Sequence, residues 1–298
     1  RLGIPLSVHL DLTYRCNERC IHCYLDHEDH GEMTTAEILG LLDQLAAAGV
    51  FFLNVSGGEI FMRPDLFTII EHARKLQFSV KLKTNGVMIR EAKARRIAAL
   101  GVEAVQISLY SHDAATHDES TKLRGSFKRT VEGARLLRDA GVKVIFANVL
   151  MQQNADHYKQ VQALAAEMGI RYEVDATITP MMDGDRGIVA LNMDGGRLAA
   201  IMHDTTLLGD QAERLLAAPS GPTPLDEAYK TLPCSAGHTA CYVSPYGDVF
   251  PCVQFPFKVG NVREQAFIDI WKHSPQLNEV RAIRVSDLEG CSSCVHGS

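Results

Sequence analysis

The chain has 298 residues, with 30 Lys and Arg against 36 Asp and Glu, a formal charge of −6 and 46% hydrophobic residues. That balance belongs to a globular protein able to bury a large core in one large domain or two, and it excludes intrinsic disorder as the main state. No apolar run of about 18 residues and no signal-like N-terminus occurs, so the expectation is a cytoplasmic protein without membrane contact, and the lack of clustered Lys and Arg argues against nucleic acid as a partner.

Strand-like runs rich in β-branched and aromatic residues fall at 6–13, 51–56, 79–84, 104–110, 143–150 and 171–179. Helical spacing separates them. The first helical pattern opens on Thr34-Thr35-Ala36-Glu37, a capping box, runs through Ile38, Leu41, Leu42 and Leu45 on one face, and stops at Gly49. Others cover 66–76, 89–100, 127–140 and 158–168, with Gly101, Gly141 and Gly169 as stops. Six β/α repeats demand a parallel sheet with right-handed crossovers, as an open or partial barrel whose ligands gather at the C-terminal strand ends. The Cys16–Cys23 segment, Ser56-Gly57-Gly58-Glu59, Thr84-Asn85-Gly86 and Ser108 would all face that mouth. Past residue 183 the alternation is lost. A helical stretch at 196–208 precedes a Pro-, Gly- and Ser-rich linker at 217–224, and from about Pro233 the chain carries five cysteines and a hairpin-like turn at Ser244–Asp248. This last portion is expected to be organised by metal more than by core.

The eight cysteines form two groups: Cys16, Cys20 and Cys23, then Cys234, Cys241, Cys252, Cys291 and Cys294. Close spacing without a secretory signal favours metal or redox chemistry over disulfides. In C-x3-C-x2-C, three is the informative number, because structural zinc and an ordinary four-iron cluster each want four ligands, so three leave a metal position open. His22, His27 or His30 could instead complete a zinc site.

These residues resemble the radical S-adenosylmethionine (SAM) superfamily: Cys16-x3-Cys20-x2-Cys23, then Ser-Gly-Gly-Glu59 at the next strand end. The C-terminal Cys234, Cys241, Gly247-x4-Cys252 and Cys291-x2-Cys294 resemble a SPASM domain, an auxiliary iron–sulfur module. The resemblance implies an α/β fold, a partial (β/α)6 TIM-like barrel over residues 1–190, a helical bridge and linker over 191–232, and a small SPASM-type domain over 233–298. It implies a [4Fe–4S] cluster on Cys16, Cys20 and Cys23 that binds SAM, whose reductive cleavage gives a 5′-deoxyadenosyl radical, and one or two auxiliary [4Fe–4S] clusters on Cys234, Cys241, Cys252, Cys291 and Cys294. Two auxiliary clusters usually take seven or eight cysteines, so the five here point to a chain that continues past Ser298 or to a shorter one-cluster domain.

By the same resemblance, Ser56, Gly57, Gly58 and Glu59 would bind the methionine amine, His22 and Tyr24 would lie near adenine, and Thr84, Asn85 and Ser108 would contact ribose or carboxylate. Lys122 or Arg124 would meet the SAM carboxylate, and Leu150 would offer adenine its backbone. Asn85-Gly86 also reads simply as a turn, and Leu150 as core. Along the sixth strand Glu173 and Asp175 share a face; an inward acidic pair could contact substrate, which makes Asp175 the candidate catalytic residue, while structural ion pairing is the alternative. Asp183 and Arg186 are weaker candidates. Sulfatase-maturing relatives carry an Asp after the third SPASM cysteine, whereas Val253-Gln254 follows Cys252 here.

Likeness to the pyrroloquinoline-quinone and mycofactocin peptide-maturing enzymes implies a ribosomally made peptide substrate, leader recognition by a separate protein or by further N-terminal sequence, and an electron donor such as ferredoxin or flavodoxin. A tetrapyrrole-modifying enzyme of haem synthesis is the enzymatic alternative. A non-catalytic, zinc-stabilised binding module is the alternative from another class.

Overall fold

Period-two alternation along the six runs decides what each face of the sheet meets. A computed structural model, which describes residues 3–208 and 232–289, sets β1 (Ser7–Asp11), β2 (Phe52–Ser56), β3 (Ser79–Thr84), β4 (Ala104–Ser108), β5 (Val144–Val149) and β6 (Arg171–Asp175) side by side and parallel, in the order β6-β5-β4-β3-β2-β1. Val8, Leu10, Leu53, Val55, Val80, Leu82, Val105, Ile107 and Phe146 project from one face into a single core. The helices α1 (Thr35–Ala47), α2 (Leu66–Lys75) and α3 (Glu91–Leu100) bring Leu41, Ile69 and Ile97 to that core. The intervening positions, among them His9, Asp11, Ser56, Lys83, Gln106 and Ser108, face the other way. A closed eight-stranded barrel fills its interior with branched apolar side chains; this partial (β/α)6 barrel keeps a polar inner face, with a cavity over it.

Local signals place the helices. Thr34 and Glu37 form the reciprocal capping box at the start of α1, and Gly49 follows its end with a φ of 87°. One helix had no apolar stripe to announce it: α4 (Ala114–Thr121), capped by Asp113, buries His117, Ser120 and Thr121. Beyond it come α5 (Ser126–Asp139), α6 (Tyr158–Glu167), α7 (Gly195–Met202) and α8 (Thr205–Leu208). Among the described residues no helix is long and apolar enough to cross a membrane.

The C-terminal portion departs from expectation. β7 (Ala240–Val243) pairs parallel with β1, and β8 (Asp248–Phe250) and β9 (Gly260–Asn261) extend the same sheet antiparallel. Val243, Val249 and Val259, with Phe267, Ile270 and Trp271 of α9 (Phe267–His273) and Leu277 of α10 (Pro275–Ala282), join the barrel's own core. The described part of this domain is therefore built on apolar burial, not on metal alone. The linker at 217–224, Cys291 and Cys294 lie outside the described residues.

Arg63 ties three segments together. Its Nη1 donates to the carbonyls of Leu12 (2.9 Å) and Met33 (3.0 Å), and its Nε and Nη2 hold Asp65 (2.9 and 2.7 Å). Only 8% of this residue is exposed. Arg63→Ala takes a donor from two carbonyls and leaves Asp65 with only the Thr35 hydroxyl (2.7 Å) as a side-chain partner, so a loss of about 3–5 kcal/mol is expected in denaturant unfolding.

Candidate active site

Three strand ends are tied into one frame. After β2, Gly58 N–H donates to the Thr13 carbonyl (2.7 Å) and Glu59 N–H to the Arg15 carbonyl (2.9 Å), which presses the glycine pair onto the backbone just before Cys16. A Cβ on Gly57, where φ is 141°, would lie 2.3 Å from Thr13 O, and one on Gly58 would lie 2.4 Å from Arg15 O. Only glycine permits this approach. Glu59 is 0% exposed. Its carboxylate accepts from Phe61 N–H (3.0 Å), Thr84 Oγ1–H (2.8 Å) and Asn85 N–H (2.9 Å). Burial pushes its carboxyl above the usual range, and those donors pull against that rise. Asn85 in turn donates from Nδ2 to Asn17 Oδ1 (2.8 Å), reaching the cysteine loop from the end of β3.

Cys16, Cys20 and Cys23 all line one cavity of about 300 Å³, with Ser56, Gly57 and Gly58 beside them and Ser108, Val149, Asp175 and Ile178 further along. Glu18 N–H (3.4 Å) and Asn85 Nδ2 (3.9 Å) point at Cys16 Sγ. Burial drives the Cys16 thiol up to about 12 and the Cys23 thiol to about 11, and it raises Cys20 as well. Burial outweighs the Arg19 charge that pulls Cys23 down and holds the thiols toward the neutral form; a bound metal would deprotonate them outright. Among the described residues no three His, Cys, Asp or Glu side chains are grouped so as to hold a single metal ion.

The polar inner wall carries a chain of hydrogen bonds. His9 Nε2 meets Asp11 Oδ1 (3.0 Å), Tyr242 OH donates to Asp11 Oδ2 (3.0 Å), and the hydroxyls of Tyr242 and Tyr14 are 2.7 Å apart. Burial holds the His9 imidazole below its usual value, with the Lys83 charge adding to the effect. Asp11 is 0% exposed, so Tyr242 is part of what makes its burial tolerable. Tyr242→Phe is expected to cost about 2–3 kcal/mol in unfolding experiments, since the lost hydrogen bond is to a charged group.

The sequence-derived candidates divide cleanly. His22, Tyr24, Ser56, Gly57, Gly58, Thr84, Asn85, Ser108 and Asp175 line the cavity with the three cysteines. His22 packs edge-on against Tyr110 with ring centroids 4.7 Å apart; its Nδ1 is buried without a partner, and burial lowers it to about 4. The other candidates among the described residues stand elsewhere. Glu59 does not line the cavity, and its carboxylate is taken up by the strand ends. Lys122 is an exposed left-handed helix cap paired with Glu119, and Arg124 is exposed as well. Leu150 is 0% exposed in an apolar cluster with Ala155, Met193 and Ile201. Cys241, paired in register with Val8 on β1, packs in the main core and behaves as a small apolar residue. Cys234 and Cys252, by contrast, lie near enough for Cys234 to raise the Cys252 thiol, after burial. Of the acidic pair, Glu173 is held by Gln106 and Arg171, which leaves Asp175 toward the cavity. Cavity residues the sequence did not flag are His9, Lys83, Gln106, Tyr110 and Glu18; Glu18 is 2% exposed and pushed to about 8 by burial. Alternation on β1, β3 and β4 was the signal available for the first three.

Residues 10–165 match the radical SAM superfamily, and residues 234–295 match SPASM, an iron–sulfur cluster-binding domain. The chain belongs to the radical SAM superfamily. Among its relatives are the AdoMet-dependent heme synthase of Methanosarcina barkeri (strain Fusaro / DSM 804), 29% identical over 312 residues that cover 97% of this chain and 88% of that protein, and the PqqA peptide cyclase of Xanthomonas campestris pv. campestris (strain 8004), 32% identical over 307 residues that cover 97% and 79%. The structure of Streptococcus suis SuiB bound to precursor peptide SuiA superposes with a TM-score of 0.75 at 19% identity, covering 98% of this chain and 70% of that one. This radical SAM enzyme uses [4Fe–4S] clusters and SAM, and its residues fit them: three thiols open on one cavity, N–H groups are aimed at Cys16 sulfur, and a glycine pair leaves backbone exposed beside them.

Proposed function

We propose that this enzyme modifies a peptide by a reaction begun with hydrogen abstraction, in the reducing cytoplasm where its thiols stay free. One observation carries the reading: the cavity that begins at Cys16, Cys20 and Cys23 crosses the polar inner wall and reaches Val253 and Gln254, the two residues that follow Cys252, so the chamber runs from the first cysteine group to the C-terminal portion of the chain. The likeness to a peptide cyclase along nearly the whole chain supports a peptide as the occupant.

When bound, the cluster and SAM supply a 5′-deoxyadenosyl radical that removes a hydrogen atom from substrate. This chain's residues do the positioning. Cys16, Cys20 and Cys23 hold iron as thiolates, while Ser56, Gly57, Gly58, Thr84, Asn85 and Ser108 line the walls that bind SAM, with His22 and Tyr24 close by. Asp175, turned to the cavity with Oδ1 accepting from Thr177 N–H (3.0 Å), is the proton acceptor for the substrate. A separate leader-recognition protein and an electron donor such as ferredoxin or flavodoxin complete the system.

A second reading, tetrapyrrole modification, is favoured by the heme synthase likeness. Anaerobic reconstitution followed by SAM and a strong reductant, with deuterated peptide or porphyrin supplied separately, distinguishes the two. Deuterium appearing in 5′-deoxyadenosine from the peptide supports our reading; transfer from the porphyrin alone would displace it.

A further inference from the structure

Taking an ammonium out of water without a counterion is costly, and proteins keep one only where something else meets it. Lys83 is a half-buried lysine. It stands on β3 in register with Gln106 of β4, with its side chain on the cavity wall. Among the described residues it has neither a hydrogen bond nor an ion pair.

Carboxylates are near, but each is engaged. Asp11 sits between His9 Nε2 and Tyr242 OH, both at 3.0 Å. Glu173 accepts from Gln106 Nε2 (3.0 Å) and pairs with Arg171 (2.8 Å). Asp175 takes Thr177 N–H (3.0 Å). Burial draws the Lys83 ammonium below its usual range and Lys81 adds to this, while Asp11, Asp175 and Glu173 act from a distance in the other direction. His9, one of the histidines that line the cavity, is drawn below its usual value by burial and already meets Asp11 through Nε2 (3.0 Å).

We infer that Lys83 seats a carboxylate of the substrate, so that the enzyme takes a peptide through an acidic side chain or a chain-terminal carboxylate. The inference rests on the cavity being the substrate chamber proposed above. Among the described residues the neighbouring carboxylates act on Lys83 only from a distance, and a carboxylate from substrate would give this half-buried cation a charge-assisted partner in direct contact.

The test uses anaerobically reconstituted holoenzyme saturated with SAM, with benzoate and benzamide as probes. Ligand-observed NMR measures affinity, and protection of Lys83 from acetylation, read by peptide mass mapping, locates the probe without any substitution. Benzoate should bind at least tenfold more tightly than benzamide and protect Lys83. Lys83→Met should erase the preference, with iron content and circular dichroism as checks on folding, and Lys83→Arg should keep part of it. Equal binding of the two probes, or a benzoate preference that survives in Lys83→Met, would overturn the inference. So would protection of Lys83 by benzoate in the SAM-free holoenzyme that is lost when SAM is added, because the cosubstrate's own carboxylate would then occupy the lysine.

Two tripeptides distinguish the sources: an acetylated amide with a central glutamate, and an acetylated trialanine with a free C-terminus. Protection of Lys83 by either supports the inference and names the carboxylate. Protection by benzoate with neither peptide supports the seat itself and counts against a peptide substrate, so the two readings fail separately.

Discussion

Alanine at any one of Cys16, Cys20 or Cys23 is expected to bring 5′-deoxyadenosine formation down to the enzyme-free level. The three thiols line one cavity, and among the described residues no fourth His, Cys, Asp or Glu closes a metal site with them. A cluster held at three corners has no spare protein ligand; removing one leaves two, and the iron that should meet SAM is lost with the cluster. Cys241→Ala provides the contrast. Its sulfur is packed in the main core beside the β1 pairing and is 3% exposed, so it should keep its iron and its SAM cleavage and lose only about 1 kcal/mol of stability, the cost of removing one buried apolar-sized group. Iron and sulfide analysis together with product chromatography on the four variants checks both halves. A Cys241→Ala protein short of iron would return that residue to the ligands.

Gly58→Ala is expected to cost about 3 kcal/mol or more and to release iron from the first cysteine group. The added Cβ would meet Arg15 O at 2.4 Å and Tyr14 O at 2.5 Å. Both atoms are backbone, so neither can swing aside. The only relief is to move residues 13–15, and that displaces Cys16 and breaks the Gly58 N–H to Thr13 and Glu59 N–H to Arg15 hydrogen bonds. Gly57→Ala adds a backbone angle that a side chain rarely adopts to a contact of 2.3 Å with Thr13 O, and should behave alike. Gly40, exposed within α1 and with nothing within 4 Å of where a Cβ would stand, is the matched control. Gly40→Ala should raise stability by about 0.5–1 kcal/mol through reduced freedom of the unfolded helix. Denaturant unfolding of the three variants, with iron content measured before each titration, decides the matter.

Much of the scaffold could be read from local pattern. The six strands lie where β-branched runs placed them, because alternation and helical spacing are short-range properties that the chain carries in any context. Helix α4 escaped because its sequence, Ala114 to Thr121, buries His117, Ser120 and Thr121 in place of an apolar stripe. Glu59 shows how a motif can be seen without its surroundings. Its carboxylate, read as a partner for an ammonium, is held by donors from Phe61, Thr84 and Asn85, and nothing about residue 59 alone reveals that the end of β3 turns toward it.

The cysteine spacing, the glycine pair and the β/α rhythm determined by themselves that this is a radical SAM enzyme with a partial barrel, because those features act over a few residues. Which side chains meet inside the barrel was decided only by tertiary structure. Parallel pairing brings His9 beside Tyr242 from opposite ends of the chain, sets Lys83 level with Gln106, and turns Cys241 into the core. Strand register is fixed by the burial of whole faces, a property of several segments at once, and it settles whether a given lysine or thiol ends in the cavity, in the core or in water.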